Sequence, residues 1–108
     1  MQLEKSLANG WQAIKVTGQV DSKTVGELRE FIDSQLVDGM PVALDLHGVP
    51  FMSSAGLRTL LLLHRRTVDM GVDLALVGIA SEIADTMKVT GFYDYFTIYP
   101  NLTSLPVA

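Results

Sequence analysis

The chain has 108 residues, 48% of them hydrophobic, a net charge of −4 and no cysteine. That length holds one domain around one core, and that apolar fraction is too high for a disordered chain. The acidic balance without a basic stripe argues against nucleic acid as the main partner, no apolar run approaches the roughly 18 residues of a bilayer span, and no thiolate site or disulfide framework is available.

The N-terminus, Met1-Gln2-Leu3-Glu4-Lys5, lacks the shape of a secretion signal, and a chain without cysteine suits a reducing cytoplasm, the expected location. Gln2–Leu7 reads as a short strand, Asn9-Gly10 as a hairpin turn and Trp11–Thr17 as a second strand. Gly18 to Asp21 forms a loop into a helix, with Asp21 or Ser22 as cap and Thr24-x-x-Glu27 as a possible capping box. Val25, Leu28, Ile32 and Leu36 fall on one face of that helix, which Asp38-Gly39 ends. Pro41–Leu46 is a buried type of strand. A second helix runs from about Ser54 to Asp69, Val72–Val77 is another strand, and Ser81 caps a third helix that Gly91 stops. Tyr95–Tyr99 is the last strand, and Pro100 onward is a tail or a short capping segment. The order β-β-α-β-α-β-α-β predicts a small α/β domain with a mostly parallel sheet and an antiparallel N-terminal hairpin.

Two adjacent serines, Ser53 and Ser54, occupy the tight turn from the third strand into the second helix. Backbone N–H groups at a helix start are unpaired and carry partial positive charge, so an anion is tolerated there. A serine in that turn can cap the helix, act as a nucleophile or accept a phosphate. A cap accounts for one serine and leaves Ala55 and Gly56 unexplained, since such small residues leave room for close approach to the backbone. A nucleophile needs a base, and the two histidines fill that role poorly. His47 is expected in a loop, His64 lies on the inner stripe of the helix, and no G-x-S-x-G elbow is present. A metal site on Asp45 and His47 lacks a third ligand, and no Walker-type loop supports a nucleotide cofactor, so no cofactor or metal is expected.

At about 100° per residue, Leu60, Leu61, His64 and Val68 share the face of Leu57 and are expected to meet the sheet. Leu62 falls on the outward face between Arg58 and Arg66. It is either a single exposed leucine of no consequence or the anchor of a docking surface that starts at the serine turn. Phe92, Tyr93, Tyr95 and Phe96 are expected to pack mostly around the last strand.

The run Asp45-Leu46-x-x-Val49-x-Phe51-Met52-Ser53-Ser54-Ala55-Gly56-Leu57 resembles the signature of bacterial anti-sigma factor antagonists, which are STAS-domain proteins. Three further segments fit in the same order: Val16-Thr17-Gly18-Gln19-Val20-Asp21, Gly71 to Val77, and Val89-Thr90-Gly91-Phe92. The likeness covers about residues 10 to 99 and implies a single STAS domain over the whole chain.

The resemblance implies a partner switch without enzymatic activity of its own. The unphosphorylated protein binds an anti-sigma factor that is a serine kinase, frees its target, and is released when the kinase phosphorylates it. A metal-dependent serine phosphatase resets the system. Aligned on Gly56, the acceptor is Ser54. Ser53 stands where the family has an aspartate and becomes an alternative acceptor, and Ala55 replaces a second hydroxyl residue. The implied partner surface comprises Asp21, Ser22, Ser53, Ser54, Ala55, Gly56, Leu57, Arg58 and Leu62, on a protein expected to be monomeric when free. The alternative is a non-switching STAS subunit docked on a lipid-transport ATPase complex, in which Ser54 is only a cap.

Overall fold

A computed structural model describes all 108 residues. Antiparallel strands β1 (Gln2–Ala8) and β2 (Trp11–Thr17) are joined at Asn9-Gly10. Both turn residues take positive φ, 52° and 85°, the left-handed pair that a two-residue hairpin of native twist requires. There follow helix α1 (Val25–Gln35), strand β3 (Val42–Gly48), helix α2 (Ser54–Met70), strand β4 (Leu74–Val77), helix α3 (Ser81–Val89) and strand β5 (Thr97–Tyr99). Single 3-10 turns at Tyr93–Tyr95 and Leu102–Ser104 flank β5.

The five strands lie side by side in chain order, and β2 to β5 run parallel. Crossovers of one hand between successive neighbours put every helix on the same face. Leu28 and Ile32 of α1, Leu57, Leu60 and Leu63 of α2, and Ile83 and Met87 of α3 pack with Ile14, Val16, Leu44, Leu46, Leu74 and Leu76 into one core. Gln12 is wholly buried at the edge of this layer. Its side-chain amide donates to Val37 O (2.8 Å) and Met40 O (3.0 Å), and its Oε1 accepts from Val37 N (2.8 Å), which pins the α1–β3 connection.

The opposite face has no helix. Its central strands carry Ala13, Ala43 and Ala75, with Trp11 and Val77, and residues 100–108 fold back over them. Leu105 is buried there, Trp11 Nε1 donates to Pro106 O (2.7 Å) and Asn9 Nδ2 donates to Leu105 O (3.0 Å). The final segment is therefore a packed cap, the second of the two roles open to it.

Several expectations need correction. The Thr24–Glu27 capping box does not form. Asp21 Oδ1 instead accepts from Lys23 N and Thr24 N, closing a turn before the helix, and Thr24 Oγ1 donates to Gln19 O. Helix α1 stops at Gln35, short of Asp38-Gly39. Ser81 is the first residue of α3 and not its cap, a position held by Ala80 without a side-chain bond. Strand β3 runs past Leu46, so His47 belongs to the strand, and β5 begins only at Thr97 because Tyr93–Tyr95 coils into a 3-10 turn.

Candidate functional site

The serine turn lies where β3 ends against the helix layer. Val20 forms a parallel bridge with Met52: its N–H donates to Phe51 O (3.0 Å) and its carbonyl accepts from Ser53 N (2.9 Å). The loop that carries Asp21 is thus stitched to the loop that carries the serines. The Asp21 carboxylate is occupied with its own turn, and Ser22 is exposed beside it.

The two serines divide the work. Ser53 has extended backbone (φ −79°, ψ 175°) and its Oγ accepts from Gly56 N, so Ser53 is the cap of α2. Ser54 is the first helical residue, it is exposed, and its hydroxyl makes no hydrogen bond within the protein. A group added to that oxygen meets solvent and breaks no internal bond.

Gly56 is small for an internal reason. A Cβ there would lie 2.5 Å from Met52 Cγ and 2.9 Å from both Val20 Cγ1 and Val20 O. The glycine lets the first turn of α2 press against the Val20 bridge. Of the two small residues, only Ala55 is left partly open to an incoming partner.

The inner face of α2 differs from the expected stripe. Leu57 and Leu60 are buried, as the periodicity requires, but the rest of the buried set is Gly56, Thr59, Leu63 and Thr67. Leu61 and His64 sit on the shoulder, and Val68 is 62% exposed. Thr59 Oγ1 donates to Ala55 O (3.0 Å) and Thr67 Oγ1 to His64 O (2.8 Å). With its hydroxyl satisfied by its own helix, a threonine enters a core at little cost. The buried arc is therefore rotated about 80° from Leu57, a turn that apolar residues alone do not reveal.

Leu62 points outward, 42% exposed, on a ridge between two grooves. One groove lies between α1 and α2, lined by Arg29, Asp33 and Arg66, with Arg66 paired to Asp33. The other lies between α2 and the α3–β5 connection, lined by Arg58, Leu61, Arg65, Phe92 and Tyr95. His64 meets the edges of Tyr95 and Phe96, with ring centroids at 5.9 and 5.6 Å. The expected aromatic cluster is thus built on the helix as much as on the last strand.

Neither histidine is hydrogen-bonded to Ser53 or Ser54. His47 Nδ1 lies 2.7 Å from Asp45 Oδ1, and its ring packs so tightly on Gly78 that a side chain at that position would collide with it. Thus the Asp45 carboxylate is already engaged by the ring and by His47 N–H (3.1 Å). No group of three or more potential metal-ligating side chains occurs. No helix is long and apolar enough to cross a membrane.

Comparison with known proteins places this geometry. Solved structures of the same fold include an anti-sigma factor antagonist from Mycobacterium paratuberculosis, with 24% identity, a TM-score of 0.81, and coverage of 94% of this chain and 86% of that one. The anti-sigma factor antagonist SpoIIAA in its unphosphorylated form superposes with a TM-score of 0.71 at 15% identity, over 90% of this chain and 87% of its own. A murine anion transporter, Solute Carrier 26 family member A9, contains the fold within a longer protein, with 16% identity and a TM-score of 0.69 over 88% of this chain and 17% of that one. No curated protein matches by sequence. The family model of the STAS domain matches residues 4–105, and with the serine turn, the helix it caps and the sheet order all in place, the chain belongs to the STAS domain family.

Proposed function

We propose that the protein is an anti-sigma factor antagonist that works as a partner switch in the cytoplasm. Its unphosphorylated form binds an anti-sigma serine kinase through the serine turn and α2, and phosphorylation of Ser54 releases the kinase. One observation carries the reading: Ser54 presents an exposed hydroxyl with no internal bond, while Ser53 alone caps the helix. The kinase transfers the γ-phosphoryl group of ATP. A bond forms between phosphorus and Ser54 Oγ, the bridging bond to ADP breaks, and the hydroxyl proton leaves to a base on the kinase. A metal-dependent phosphatase resets the protein by hydrolysis: water attacks phosphorus, the bond to Ser54 Oγ breaks, the serine hydroxyl is restored and inorganic phosphate leaves.

Two features support a fold that survives the modification. The phosphate adds about −1.5 to −2 charges at a helix N-terminus, where the dipole favours them. Arg58, one turn later, has no carboxylate partner, so phosphate and guanidinium form an (i, i+4) pair on the helix surface. The event changes what the surface shows a partner, from a neutral hydroxyl to an anion. Asp21 acts by holding its turn beside Ser53, and Ser22, Ala55, Arg58 and Leu62 supply accessible contact surface.

The test is incubation with the cognate kinase and ATP, followed by mass spectrometry. Phosphate on Ser54, lost in Ser54→Ala, is the expected result. Phosphate confined to Ser53 or another residue overturns the assignment. The fold's occurrence within a transporter favours a second reading, a permanently docked STAS subunit of a transport complex such as a lipid-transport ATPase. In that case Ser54→Asp leaves partner binding unchanged, whereas the switch requires it to weaken.

A further inference from the structure

We propose that the outward face of α2 docks an acidic amphipathic helix of a protein partner. The proposal rests on the reading of α2 as a docking face and adds the chemistry of what docks. The chain is acidic overall, yet all four of its arginines, Arg29, Arg58, Arg65 and Arg66, line the two grooves beside the Leu62 ridge. Its lysines, Lys5, Lys15, Lys23 and Lys88, line neither groove. Asp33 is the one carboxylate in the two linings, and it is paired with Arg66. Arg29, Arg58 and Arg65 have no carboxylate partner.

An arginine presents a planar fork of donors that suits a carboxylate and is weakly hydrated, so it serves at an interface better than lysine. Arg58 and Arg65 are seven residues apart on one helix, about 10 Å along its axis at 1.5 Å per residue. Carboxylates two turns apart on a partner helix match that interval. Between them Leu62 is exposed, and Tyr95 forms an apolar wall 57% exposed. Ridge and groove are the shapes by which helices pack on one another, and an apolar stripe flanked by Glu or Asp complements this face in shape and in charge. An anionic bilayer is the poorer fit. It is flat, and the 12 acidic residues of the chain repel it, whereas a partner helix contacts the arginine-lined strip alone.

The test is NMR titration of the full chain with a designed helical peptide of about 14 residues, apolar at i, i+3 and i+7 and flanked by Glu. Parallel titrations use the same peptide with Lys for Glu, and phosphatidylglycerol vesicles. The acidic peptide should shift the amides of Arg58 to Arg66 and of Arg29, more at low salt than at high, and the lysine peptide should not. Arg58→Glu with Arg65→Glu should weaken binding by about tenfold or more, as charge reversal at a rim of matched sign requires. Both side chains are exposed, and an unchanged melting temperature shows that the variant is folded. Leu62→Asp, at a second exposed position, should weaken binding as well. Equal binding of both peptides, shifts on another surface, no shift at millimolar peptide, or vesicle binding without peptide binding would each overturn the proposal. The titration uses no kinase, so it can fail while Ser54 is phosphorylated, and it can succeed when Ser54 is not.

Discussion

Replacing Gly56 by alanine tests the assembly of the serine turn, because the same change elsewhere in the protein should have the opposite sign. The added methyl group would start 2.5 Å from Met52 Cγ and 2.9 Å from Val20 O, the carbonyl that accepts the hydrogen bond of Ser53 N. Relief requires Met52, itself buried, to move and the Val20–Met52 bridge to open. Overpacking costs about 1–3 kcal/mol, and a clash with a backbone carbonyl, which cannot rotate away, puts this site in the upper half, about 2–3 kcal/mol; the better helix propensity of alanine offsets about 1 kcal/mol. The net effect is a loss of about 1–2 kcal/mol, or a fall of roughly 4–16 °C in melting temperature for a domain of this size. Gly26 in α1 has nothing within 4 Å of the corresponding position, so Gly26→Ala should gain about 0.4–1 kcal/mol. Urea and thermal unfolding followed by circular dichroism would measure both. A Gly56→Ala protein as stable as its parent, or a Gly26→Ala protein less stable, would refute the reasoning.

Three further substitutions examine other parts of the structure. Ser53→Ala should lower stability by about 1 kcal/mol through loss of the cap, while Ser54→Ala stays within about 0.5 kcal/mol; equal losses by urea unfolding would contradict the division of roles. Gln12→Leu should cost about 1–3 kcal/mol by leaving Val37 N, Val37 O and Met40 O without their partner, and should speed hydrogen exchange at Val37; a protected Val37 amide would count against it. Leu105→Ala should cost about 2–5 kcal/mol and shift the fluorescence of Trp11 to the red as the cap loosens; unchanged emission would show that residues 100–108 do not shield that ring.

The alternation of apolar runs with turn residues was enough to place every strand and helix in order, because each element keeps one period against one core. The boundaries moved where a local bond competed. Asp21 closed its own turn in place of the Thr24 box, and Tyr93–Tyr95 coiled before the last strand could start. The rotation of α2 was hidden for a chemical reason. Thr59 and Thr67 read as polar in a sequence, yet both bury once their hydroxyls bond to carbonyls of the same helix. At the site, residue type alone marks Ser53 and Ser54 as a pair of the capping kind, and only the family resemblance puts the acceptor on Ser54. Backbone dihedrals and the bond from Gly56 N assign the cap to Ser53. The second sheet face is not legible as a layer in the sequence, because its signal is three alanines spread over three strands, with Trp11, Val77 and one leucine near the end of the chain.

Anchoring and presentation fall to neighbouring residues in the α2 turn. Ser53 and Gly56 hold the helix start to the Val20 bridge, and Ser54 is held by nothing but the backbone. Position 54 is therefore a place in the turn where the side chain can change without breaking a hydrogen bond of the fold. Under the proposed switch, each modified molecule would alter its own surface without first undoing an internal contact of that hydroxyl, so the output would follow the modified fraction.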